Sequence, residues 1–167
     1  MLKKEGVPSK KELKKIEPPR ERLEEGPVVI VECMQEIPCD PCYYACPRGA
    51  FKAFDDLNQR PEIDYEQCNG CSICVAHCPG LAIFVVDHTY SEDEGLLKIP
   101  YELLPLPEKE EGVDVLDRAG EKVGDGRVVD IRLNKKQDRT AIVSVAVPKE
   151  ILMDARHIRL RRGKDEG

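Results

Sequence analysis

All eight cysteines of this 167-residue chain fall between positions 33 and 78, in two runs. The first is Cys33, Cys39, Cys42 and Cys46, followed by Pro47; the second is Cys68, Cys71, Cys74 and Cys78, followed by Pro79. Cysteines two residues apart on one tight loop can cover three corners of a tetrahedral, polynuclear centre. The fourth corner must then come from elsewhere in the chain, so each centre ties two distant segments together. A proline after the last cysteine limits the backbone where it leaves the site. Two tetrathiolate zinc sites would use separated C-x2-C pairs rather than C-x2-C-x2-C runs. Four disulfides would need an oxidising compartment, and the N-terminus carries neither an apolar signal region nor a twin-arginine pair.

The second run reads C-x2-C-x2-C-x3-C-P, the bacterial [4Fe-4S] pattern, in which the fourth cysteine ligates the other cluster of a two-cluster protein. By that logic Cys33, Cys39, Cys42 and Cys78 hold one [4Fe-4S] cluster, and Cys68, Cys71, Cys74 and Cys46 hold the other. The five-residue gap after Cys33 leaves a three-cysteine [3Fe-4S] form open for the first. The runs also repeat at an offset of 32 residues, pairing Cys39 with Cys71, Cys42 with Cys74, Cys46 with Cys78, Pro47 with Pro79 and Ala50 with Ala82. Each half reads as strand, cysteine loop, short helix and strand. Val28–Glu32 and Glu62–Tyr65 lead into the runs, Tyr43–Ala45 and Val75–His77 lie on the helices, and Ala50–Phe54 and Ala82–Val86 follow. Residues 27–87 thus resemble the dicluster bacterial ferredoxin domain. The resemblance implies an α+β fold with pseudo-twofold symmetry and both clusters buried between hairpin and helices.

Around this stretch the chain divides by composition. Residues 1–26 are rich in Lys, Glu and Pro and read as an extended arm, with a short helix capped by Ser9 and stopped at Pro18-Pro19. The arm is either solvated or ordered against a partner. Residues 88–112 read as a Pro- and Glu-rich linker lying on a surface. Residues 113–167 read as a small, mainly-β, barrel-like docking module: VDVL, KVGDGRVVDIRL about a Gly-rich turn, a polar turn NKKQDRT, AIVSVAVP, a short helix from Pro148, and HIRL. Its pattern resembles PRC-barrel-like modules. Charge is uneven: residues 28–98 carry twelve acids against four Lys or Arg, and residues 113–162 carry eight against twelve. With 35% charged and 5% aromatic residues the apolar core is modest, so metal binding is expected to supply much of the folding free energy.

No stretch is long and apolar enough to span a membrane, no basic cluster suits nucleic acid, and a cytoplasmic location is expected. There is no dinucleotide fingerprint, phosphate loop or catalytic constellation, so no catalytic residue and no substrate site are assigned. His77, His88 and His157 read as structural, with His77 a neighbour of the first cluster rather than a ligand. What remains is one-electron transfer. The segments ECMQEIPCDPCYYACPRGAF, CNGCSICVAHCPGLAIFVVDHTYSE and YELLPLPEK are similar to those of 4Fe-4S dicluster proteins that accompany FAD-dependent amino- or imino-acid dehydrogenases of the proline or hydroxyproline dehydrogenase kind. That resemblance implies a small iron–sulfur subunit, in a hetero-oligomer, taking electrons from FAD on a larger subunit. The alternatives are a free diffusible ferredoxin and a module whose clusters only hold the fold.

Overall fold

The computed structural model describes residues 6–133 and 140–161. Its frame is one antiparallel seven-stranded sheet in the order β1-β2-β3-β6-β5-β4-β7. The strands are β1 Val28–Val31, β2 Ile83–Asp87, β3 Glu94–Tyr101, β4 Gly112–Leu116, β5 Lys122–Arg132, β6 Ala141–Pro148 and β7 His157–Leu160. Among the described residues four short α-helices accompany it, α1 Lys10–Leu13, α2 Arg20–Leu23, α3 Pro41–Ala45 and α4 Ile73–His77, and the short helix expected from Pro148 is a single 3-10 turn, Lys149–Ile151.

Strand alternation divides the apolar residues between two cores. Val28, Ile30, Phe84 and Val86 face one core with Leu97, Ile99, Val113, Val143, Val145 and Ile158. Val29, Val31, Ile83 and Val85 face the other, where Ile142, Phe51, Val75 and the buried Cys42 and Cys74 pack. This explains the continuous VVIV and IFVV runs: β1 and β2 are covered on both faces. Each fully buried valine contributes about 1.5–3 kcal/mol. The cysteine loops therefore sit on the outer face of β1, β2 and β6, while the inner face closes on the other half of the sheet.

The sheet also curls. Glu32, directly after edge strand β1, accepts hydrogen bonds from Arg156 Nε at 2.6 Å and from Arg118 Nε and Nη2 at 2.9 and 2.6 Å. Arg156 lies just before the opposite edge strand, β7, so the ends of the sheet come within side-chain reach. Arg156 is held further by the carbonyls of Leu152 and Ala155 and stands 5.3 Å above the Phe84 ring.

Several expectations need correction. Residues 88–112 are not simply a linker, because β3 pairs with β2 on one side and with β6 over eight residues on the other. Buried Gly95, Leu97 and Ile99 alternate with the less buried Glu94, Leu96 and Lys98 before the buried Pro100 and Tyr101, a period-2 signal obscured by Pro100 and the flanking acids and prolines. Strands from the cysteine half and from residues 112–160 consequently share one sheet. The Gly-rich turn in KVGDGRVVDIRL is also absent, as β5 runs through it unbroken. A Cβ on Gly126 would lie 2.8 Å from Val115 Cγ2 and Val145 Cγ1, so that glycine serves close packing rather than a turn. Residues 50–54 and 62–65 form a single bridge, Phe51 to Ile63, in place of strands. The polar turn expected from residue 134 lies almost wholly outside the described residues.

The arm is not merely extended. Ser9 and Glu12 form a capping box at α1, and a second helix, α2, follows the proline pair. Ile16 and Leu23 pack against the inner core. Arg22 donates to the carbonyls of Tyr65, Gly26, Pro27 and Cys68 at 2.6–3.1 Å, fastening the arm to the second cysteine run.

Candidate metal centre

Both cysteine runs end in the same local geometry for the same reason. A residue before proline is pushed out of the helical region, and Cys46 and Cys78 accordingly close α3 and α4 at φ/ψ of −77/110° and −76/111°. Each sulfur then accepts a backbone N–H from four residues on: Ala50 to Cys46 Sγ at 3.3 Å, Ala82 to Cys78 Sγ at 3.4 Å. Such bonds draw charge from a thiolate and are one of the levers that set a cluster's potential.

The loops entering the two helices differ. Asp40 precedes α3 with φ −142°. Ser72 precedes α4 at φ +66°, an uncommon conformation for a residue with a side chain, and is 1% exposed. Its neighbour Gly70 has φ +64°, and a Cβ there would stand 2.6 Å from Pro27 Cβ and 2.8 Å from the Pro27 backbone. Glycine is required twice over, for its dihedral and for space.

Thiols of the two runs act on one another. Burial is the main cause that raises Cys33, Cys39 and Cys42, and the charge of Cys78 adds to it at all three; Cys42 is pushed up to about 12. Cys74 is raised well above the ordinary thiol range by burial, with added repulsion from Cys68, Cys71, Cys46 and Cys42. Cys46, Cys68, Cys71 and Cys74 also line one cavity together, walled by Val29, Val85 and Phe51 among others. Among the described residues no group of three or more His, Cys, Asp or Glu side chains closes on a single metal ion. A cubane does not ask for that, since each thiolate meets its own iron at a separate corner. The donor set is all thiolate, partly buried and supplied with N–H···S bonds, which suits an iron–sulfur cluster. Bound there, such a cluster supplies reversible one-electron chemistry.

The histidines stay outside this set. His77 is exposed, with Nδ1 2.9 Å from the Ile73 carbonyl. His157 Nδ1 is 2.8 Å from the Ile158 carbonyl, and its ring stacks on Tyr101. His88 is shifted down by burial, and its Nε2 is buried without a partner.

Cations around the cysteine loops were not anticipated from the sequence. Arg132 Nη2, from the end of β5, lies 2.6 Å from Ser72 Oγ and 3.3 Å from the Cys71 carbonyl. Lys98 Nζ, from β3, lies 3.5 Å from the Gly70 carbonyl. Only for Lys98 was a signal available: a lone charge between Leu97 and Ile99 must point to the opposite face from them.

Comparison with known proteins agrees with this chemistry. Residues 61–84 match the family of 4Fe-4S binding domains. Pyruvate synthase subunit PorD of Methanocaldococcus jannaschii is 45% identical over 47 residues, covering 28% of this chain and 52% of that protein. The subunit of the same name from Methanothermobacter marburgensis is 43% identical over 47 residues, 28% and 51% respectively. The chain thus spans about half the length of the curated relatives it matches. No solved structure matches. No helix among the described residues is long and apolar enough to cross a membrane. The chain carries a ferredoxin-like 4Fe-4S binding domain, and the function this supports is iron–sulfur electron transfer.

Proposed function

We propose that this protein is the electron-transfer subunit of a larger oxidoreductase, carrying single electrons through two [4Fe-4S] clusters. Cys33, Cys39, Cys42 and Cys78 hold one cluster; Cys46, Cys68, Cys71 and Cys74 hold the other. The observation that carries this reading is the cavity in which Cys46, from the first run, joins three cysteines of the second. The influence of Cys78 on Cys33, Cys39 and Cys42 supports the reciprocal half.

The subunit role, as opposed to a freely diffusing ferredoxin, rests on what the surface exposes. Ile37, Tyr44 and Leu57 are exposed beside the first cysteine loop, where Cys39 N–H donates to the Leu57 carbonyl and Tyr44 packs edge-on against Tyr43. Exposed apolar side chains beside a redox centre suit a catalytic subunit that must come close for electron exchange. Sequence resemblance favours an FAD-dependent amino- or imino-acid dehydrogenase as that subunit. The similarity to PorD chains favours a pyruvate-synthase-like assembly.

Anaerobic purification from the native source tests the proposal. Co-migration with larger chains supports it. Flavin together with imino-acid oxidation identifies the first partner, and pyruvate synthase activity identifies the second. A chain that elutes alone with its iron is a diffusible ferredoxin.

A further inference from the structure

The two cysteine sites sit in different electrostatic surroundings. Around the Cys68–Cys71–Cys74 loop the chain gathers cations from three separate segments. Arg132 reaches Ser72 and Cys71 from β5, Lys98 reaches Gly70 from β3, and Arg48 lines the cavity that holds the four sulfurs. Burial, and then repulsion from Arg132, push Lys98 below the usual lysine range, while Asp87, Cys71 and Asp130 act in the opposite sense. At the other site Arg60 acts on Cys33, and the cavity that Cys33 lines balances Lys15, Lys52 and Arg60 with Glu12, Glu36 and Glu62, while the carboxylate of Asp40 acts on Cys39.

Adding an electron to a tetrathiolate cluster adds negative charge, which a fixed cation nearby stabilises and a fixed carboxylate opposes. Arg132 is effectively always protonated, so its contribution does not depend on pH in the working range. The register is consistent with a common face. Lys98 stands opposite Val85 on β2 and Ser144 on β6, while Arg132 stands opposite Ile142. Val85 and Ile142 belong to the core on which the cysteine loops pack.

We propose that Lys98 and Arg132 are positioning residues that raise the reduction potential of the Cys46/Cys68/Cys71/Cys74 site above that of the other, making it the preferred resting place of a single electron. The β-sheet beyond the cysteine half is then a built-in electrostatic partner of that site. This rests on the two-cluster reading above.

The test is an anaerobic, EPR-monitored potentiometric titration of the full chain, with iron counted on the same samples. Arg132→Gln and Lys98→Gln should each lower one midpoint, the same one, and leave the other in place. The double variant should lower it further, and Arg132→Lys should largely retain it. The midpoint that moves should belong to the centre that Cys46→Ser perturbs. Lys98→Gln guards against loss of the loop itself, because its Nζ makes only a long contact there. Unmoved midpoints, two midpoints that move together, or a shift confined to the other centre, with about eight irons per chain still bound, overturn the inference. About four irons and a single reducible centre overturn the two-cluster reading and this inference with it.

Discussion

Replacing Glu32 by Gln should weaken the fold severely, and the structure gives the scale. The side chains of Arg156, Glu32 and Arg118 are 4%, 9% and 12% exposed. Burial alone would raise the Glu32 carboxyl; hydrogen bonds and charge from the two arginines outweigh it and hold it below its ordinary range. Glutamine keeps the shape but leaves two guanidiniums buried together without an anion. Breaking a buried ion pair by removing one partner costs about 3–5 kcal/mol. At roughly 2–4 °C per kcal/mol for a chain of this size, the thermal midpoint should fall by roughly 6–20 °C. The assay is anaerobic thermal unfolding of the cluster-loaded protein, followed by far-ultraviolet circular dichroism and visible absorbance together. Replacing all three residues by apolar side chains of similar volume should recover much of the loss, because the desolvation cost disappears with the charges. A Glu32→Gln protein that melts within about 1 °C of wild type would refute the reasoning.

Other expectations follow from the same geometry. Cys46→Ser should damage the centre held by Cys68, Cys71 and Cys74 rather than the one adjacent in sequence; EPR showing loss of only the Cys39/Cys42 centre would sink the interleaved scheme. Gly70→Ala should cost at least about 1–2 kcal/mol from its left-handed dihedral alone, plus the overlap with Pro27; iron content and melting temperature should both drop. Asp114 on β4 is held well below the usual carboxylate range by hydrogen bonds from Lys122 and Arg161, and by Arg159, against the opposing effect of burial. A depressed carboxyl stabilises above its unfolded pKa and loses that contribution as pH falls through the folded one. The stability gap between wild type and Asp114→Asn should therefore hold steady from pH 8 to about 5 and shrink only below; denaturant titrations showing a gap that fades between pH 8 and 6 would count against it. Deleting residues 113–167 should abolish iron incorporation, since it strips β6 from β3 and removes both partners of Glu32; a truncated chain with full iron would show the cysteine half to be self-sufficient. That reverses the independence implied by reading residues 113–167 as a docking module.

The cysteine chemistry was legible because it is local. Two-residue spacings, the prolines after Cys46 and Cys78, and the 32-residue offset are all visible without a fold, and so are the Ser9 cap and the strands at 83–87, 112–116 and 141–148. Period-2 reading failed where other residue signals overrode it. Pro100 concealed β3, and Gly124 and Gly126 mimicked a turn inside β5. The cations were hidden for a different reason. Arg118, Arg132 and Arg156 meet Glu32 and the Cys71–Ser72 loop across 60 to 124 residues of chain, and no local pattern encodes such a meeting. The uneven charge was the trace of it: part of the basic half's excess neutralises the acidic half of the same molecule.

Two clusters on one chain are tested most directly by the iron and acid-labile sulfide content of the 167-residue chain purified without oxygen, read with the EPR spectrum of the dithionite-reduced protein. Two [4Fe-4S] clusters require about eight of each per chain and a spectrum broadened by magnetic interaction between two neighbouring reduced centres. About four irons with one isolated signal, or stoichiometric zinc in place of iron, would contradict the two-cluster reading.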